Sequence, residues 1–139
     1  MKVFTTNYQN SFIEVAEDCP VNRGEIPPVK KTGETIANMQ YDMLSNNPYG
    51  FTSDEILFQC HIIKNNLQEK NPAQLKEQFF SKGQPCFRAS PLTKRYGWGI
   101  HCNNEGKMAI FGCETKEYKT FSKDKTLKIL KALRSTTPS

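Results

Sequence analysis

The stretch "GWGIHCNNEGKMAIFGC", residues 97–113, decides the fold. Two short β-leaning runs, "GWGIHCN" and "KMAIFGC", are joined by "NNEG", whose Asn and Gly residues suit a tight turn, so the stretch predicts a β-hairpin. A third β-leaning run, "PCFRA", precedes it at 85–89. Far upstream, Phe12, Ile13 and Val15 predict a first strand over 10–16 that ends at Cys19-Pro20.

Between that strand and the hairpin the pattern is helical. Thr32 is placed to cap a helix in which Ile36, Met39, Met43 and Leu44 share a face, and Asn46-Asn47-Pro48 stops it. Thr52 and Glu55 have capping-box spacing and open "ILFQCHII", 56–63. The period of that run fits helix or strand alike, and the cap favours helix. Asn71-Pro72 starts a third helix over 72–81, with Leu75 and Phe79 four apart and Gly83 past its end. Tyr118, Phe121, Leu127, Leu130 and Leu133 recur at helical spacing and predict a final helix. "VNRGEIPPVKKTG", 21–33, has two prolines, two glycines and no period, and reads as a surface loop of a length that often carries function. No repeat or linker divides the chain. The expected architecture is a single α+β domain over 1–139, a small antiparallel sheet with helices packed on one face.

Composition bounds the function. At 139 residues, 37% hydrophobic and 24% charged, the chain suits one globular domain and excludes a disordered or fibrous class. No apolar run is long enough to span a bilayer, and the N-terminus lacks the charged and apolar regions of a signal peptide. The five cysteines, 19, 60, 86, 102 and 113, are odd in number and not closely paired, so they read as reduced thiols. The expectation is a cytoplasmic protein without a membrane partner. The net charge of +5 is uneven: residues 1–55 hold four basic and eight acidic side chains, and 56–139 hold fifteen and six. Such asymmetry implies an anionic partner for the second half, or halves that attract each other.

"SKGQPCFRASPLTKRYGWGIHCNN", 81–104, contains no Asp or Glu. Arg88 and Arg95 can hold a phosphate or carboxylate, Lys82 and Lys94 can attract it from further away, and Tyr96 and Trp98 can stack on a ring. Strand alternation places Tyr96, Trp98 and Ile100 on one face and Arg95, Gly97, Gly99 and His101 on the other, where the glycines leave a bare floor. The structural alternative, more common on general grounds, makes Trp98 a core residue and pairs the cations with acids of the N-terminal half.

Other chemistry is weaker. Cys60-His61 and His101-Cys102 are adjacent pairs, whose side chains diverge on helix or strand, so no metal or cofactor is expected. Cys86 or Cys102, near Arg88, Arg95 and His101, could be a nucleophile, although cysteines in apolar runs are usually small hydrophobes. Glu17 and Asp18 oppose ionisation of Cys19. Glu14, Glu17 and Asp18 could supply an acid or base, or be partners of Arg88 and Arg95. No standard enzyme motif is present. Lys125, Lys128, Lys131 and Arg134, three apart, form a stripe on the predicted last helix, more often a solvated face than a nucleic-acid surface.

Two segments, "YGFTSDEILF" (49–58) and "FFSKGQPCFRASPLTKRYGWGIH" (79–101), resemble hallmark stretches of a family of small bacterial proteins that form a domain of unknown function. The likeness extends back to "TTNYQNSFIEVAEDCP" at 5–20. The resemblance implies a small, cytoplasmic, single-domain protein and carries over no site. The favoured expectation is therefore a small-ligand-binding domain recognising an anion around 82–101, through Lys82, Arg88, Lys94, Arg95, Tyr96, Trp98 and His101. The first rival is a nucleic-acid binder using the basic second half, and the second is a small enzyme using His101 with Cys86, Cys102 or Glu14.

Overall fold

The structure is a computed structural model that describes residues 4–135. In chain order it contains β1 (Ser11–Glu14), α1 (Ile36–Asn46), α2 (Ser53–Lys64), α3 (Pro72–Phe80), a 3₁₀ turn (Phe87–Ala89), α4 (Pro91–Lys94), β2 (Trp98–Cys102), β3 (Met108–Gly112), α5 (Lys116–Ser122) and β4 (Lys128–Lys131). The strands form one sheet in the order β3-β2-β1-β4. This is an α+β domain with a mixed sheet.

The hairpin forms as the sequence dictates. β2 pairs antiparallel with β3, Ile100 opposite Ile110, across a turn in which Gly106 takes φ +79° and Asn103 Oδ1 accepts from the amides of Glu105 and Lys107. β1 then lies antiparallel to β2, Ile13 opposite Ile100. Consecutive residues Phe12 and Ile13 are both fully buried, so this strand is covered on both faces. Ile13, Ile100, Cys102 and Met108 join Leu44 of α1, Ile56 and Cys60 of α2, Phe87, and Leu92 of α4 in the main core. On the opposite face, Phe12 meets Tyr118 and Phe121 of α5 at ring separations of 5.1 and 5.3 Å. A Cβ on Gly99 would come within 2.5 Å of the Tyr118 ring, so glycine there lets α5 seat. The helices therefore occupy both faces rather than one, because β1 has apolar residues at successive positions instead of alternate ones.

Four further expectations are corrected. The C-terminal segment is not one helix. Asp124 Oδ1 accepts from the backbone and hydroxyl of Thr126 just after α5 ends, and the chain re-enters extended as β4, parallel to β1. The leucine spacing yields there because β1 would otherwise present an open edge; Lys128 N–H donates to Asn10 and Ala132 N–H to Glu14. The sheet is mixed rather than wholly antiparallel for the same reason. "PCFRA" is a 3₁₀ turn, not a strand, set between Pro85 and Pro91 with the Phe87 carbonyl accepting from Thr93 Oγ1. The cap of α1 is Thr35, not Thr32: Gly33 at φ +113° closes a turn with Lys30, and only then does Thr35 exchange hydrogen bonds with Asn38. Thr52 and Glu55 form the expected capping box on α2, which settles 56–63 as helix.

The glycine- and proline-rich loop is pinned rather than free. Asn38 Nδ2 of α1 donates to the Pro27 carbonyl at 2.7 Å, Glu25 N–H donates to the Tyr96 carbonyl at 2.8 Å, and Glu114 accepts from Gly24 N–H. These bonds hold the loop across α1 and the start of β2, which is where the candidate site lies.

Candidate anion site

Lys94 and Arg95 sit at the C-terminal end of α4, a short helix made by Ser90 capping Leu92 N–H and by proline at the first helical position. Leu92 and Thr93 are buried, which turns the next residues outward. Lys94, Arg95 and Tyr96 line a cavity of about 310 Å³. Its opposite wall is Thr35, Ile36 and Ala37, the cap and first turn of α1, and its rim carries Lys30 from the pinned loop. Three cationic residues from two distant segments thus line one hollow, and among the described residues no Asp or Glu lines it. Among the described residues, none of the Lys30, Lys94 and Arg95 side chains has an ion pair or hydrogen bond with the protein. Asn38 N–H is bonded to the cap, whereas the Ile36 and Ala37 amides, on the cavity wall, have no protein acceptor. The first turn of an 11-residue helix and three cations therefore create one region of positive potential.

The expected site is divided. Lys94, Arg95 and Tyr96 come together as expected. Lys82 is exposed beyond α3 and is not part of this cavity. Arg88 turns away: its Nε donates to the Lys131 carbonyl at 2.7 Å and its own carbonyl accepts from Leu133 N–H, so it fastens β4. Trp98 is half-buried, packs on Tyr41 at 5.5 Å and donates Nε1–H to the Glu25 carbonyl at 2.8 Å, holding the loop rather than lining the hollow. His101 lies on the α5 face, stacked on Phe121 at 4.3 Å with Nδ1 2.8 Å from the Tyr49 hydroxyl. Lys30 was missed because it is distant in sequence. The signal available was its place in a long loop beside a second lysine.

Among the described residues His101 makes no hydrogen bond with Cys86, Cys102 or Glu14. Cys102 points into the core opposite to the His101 face, and burial pushes its thiol up to about 12. Cys86 shares a hydrogen bond with the Tyr8 hydroxyl at 3.2 Å, and Glu14 faces Lys131 at 3.7 Å. All five cysteines are unpaired. Among the described residues no three His, Cys, Asp or Glu side chains are grouped to hold a metal ion, and no helix is long and apolar enough to cross a membrane. The basic stripe also dissolves. Lys128 and Lys131 lie on a strand, where a spacing of three sends them to opposite faces, and Arg134 pairs with Glu17.

Neither the curated proteins nor the solved structures contain a match to the chain. The model of one family does match, over residues 3–138, and it spans the hairpin, the pinned loop and the cationic hollow alike. The chain belongs to the family of unknown function DUF6157.

Proposed function

We propose that the protein is a cytoplasmic small-ligand-binding domain whose site, between the first turn of α1 and the α4–β2 junction, recognises an anion. The observation that carries this reading is the convergence of Lys30, Lys94 and Arg95 on one cavity without a carboxylate among its lining residues. Like charges held together without partners repel, and an anionic ligand relieves that repulsion. Five unpaired cysteines support a reducing compartment. Arg95 is the group best suited to a bidentate contact with phosphate or carboxylate, and Lys30 and Lys94 act as point charges. The cation arrangement favours a pocket over a nucleic-acid groove, since part of the C-terminal basic charge is already paired with Glu14 and Glu17.

Thermal melting of wild type and Arg95→Met, in phosphate and in sodium chloride of equal ionic strength, tests the reading. Phosphate is expected to raise the wild-type melting temperature by mass action and to leave the variant unmoved, with equal stability of the two proteins in chloride. No phosphate effect in wild type contradicts the reading. So does a variant weaker by about 3 kcal/mol, because that loss marks an arginine engaged in the fold.

A further inference from the structure

We propose that the ligand is an amphipathic anion of small-molecule size, its charged head among Lys30, Lys94 and Arg95 and its alkyl or aryl body in the adjoining cleft. This deepens the anion-binding reading and rests on it. A second cavity, of about 350 Å³, shares Ile36, Ala89 and Pro91 with the charged one, so the two hollows abut along α1 and the 89–91 segment. Its remaining apolar walls include Leu57 of α2, Phe79 of α3 and Pro85. The His61 ring lies 4.6 Å from Phe79 and extends that wall. Among the described residues no Asp or Glu lines this cavity, and Lys64 is its one Lys or Arg.

The wall also offers a polar group to a ligand. Gln40 is only 3% exposed, and one end of its carboxamide accepts from Ser90 Oγ at 2.6 Å. The other end has no protein partner among the described residues, and the residue lines the second cavity. That end reaches solvent, since Ser122 Oγ is the one fully buried side-chain polar atom without a partner among the described residues, and a hydrogen-bonding atom on the ligand body would take the place of water there. Each hollow is at the small end of ordinary ligand pockets, so the pair suits a head and a body rather than a macromolecule. A separate cavity of about 440 Å³ beside α2 and α3 is lined by Asp54 and Glu55 against one cation, Lys76, and suits an anion less well.

Calorimetric titration with methyl phosphate and phenyl phosphate at matched ionic strength separates head from body. Phenyl phosphate is expected to bind at least about tenfold more tightly, because its ring leaves water for an apolar wall. Leu57→Gln is expected to remove that advantage without changing methyl phosphate binding. If the variant fails to fold, alkylation of half-buried Cys86 in wild type, followed by peptide mass, gives the answer: phenyl phosphate slows it and methyl phosphate does not. Equal affinities for the two esters, both abolished by Arg95→Met, overturn the apolar body and leave the anion site standing. Tighter phenyl phosphate binding without Cys86 protection, or unaffected by Leu57→Gln, also overturns it. Binding of neither ester overturns both.

Discussion

Gly97 connects the fold to the site. Its φ is +78°, and a Cβ there would overlap the Arg23 carbonyl oxygen, so the loop that delivers Lys30 passes directly over this residue. Gly97→Ala combines a left-handed strain with a backbone clash and is expected to cost about 3 kcal/mol or more. It should also displace the loop and weaken phosphate binding; urea unfolding together with a phosphate titration checks both. His101 makes a different prediction. Burial holds its pKa below the ordinary histidine value, against a smaller opposing pull from Asp124. The unfolded chain therefore takes up the proton first as pH falls, and stability declines from about pH 6.5 downward until the folded ring also protonates. Glu17, Glu114 and Asp124 are held below the usual carboxylate range, so the stability they add is lost only in more acidic solution. Urea midpoints at about pH 7.5 and about pH 5.5 should differ in wild type and differ less in His101→Gln. Equal pH sensitivity in both proteins would contradict this.

At the scale of elements, α1 begins where Thr35 and Asn38 cap each other, and that boundary sets which amides face the cavity. Thr35→Ala should cost about 1 kcal/mol, and Thr32→Ala, on the exposed turn, should be close to neutral. Chemical denaturation of the two variants distinguishes them, and a reversed order would place the helix start at the wrong threonine. A threonine before an apolar period, as at Thr32, looks like a cap. What decided otherwise is the φ +113° of Gly33, a backbone state that residue type permits but does not require. Local chemistry made other elements readable: the Asn103–Gly106 turn of the hairpin, the Thr52–Glu55 box and the Asn71-Pro72 start all lie where their residues predict. β4 was not readable, since its leucines fit a helix and only the open edge of β1, more than a hundred residues earlier, makes it a strand.

In the whole molecule, part of the charge asymmetry is neutralised and part is not. Lys131 and Arg134 find Glu14 and Glu17 at the end of β1, as the reading of mutually attracting halves expects, while Lys30, Lys94 and Arg95 remain without acids at the cavity. Half of the site was legible because Lys94, Arg95 and Tyr96 are contiguous. Lys30 and the first turn of α1 were not, because the bonds that bring them there run from Asn38 to Pro27 and from Glu25 to Tyr96, across long sequence separations. The most direct test of the central claim is a two-dimensional amide NMR titration with inorganic phosphate. The account predicts saturable shifts concentrated at Ile36, Ala37, Arg95 and Tyr96 and absent in Arg95→Met; shifts spread along Lys119–Lys131, or none at all, would contradict it.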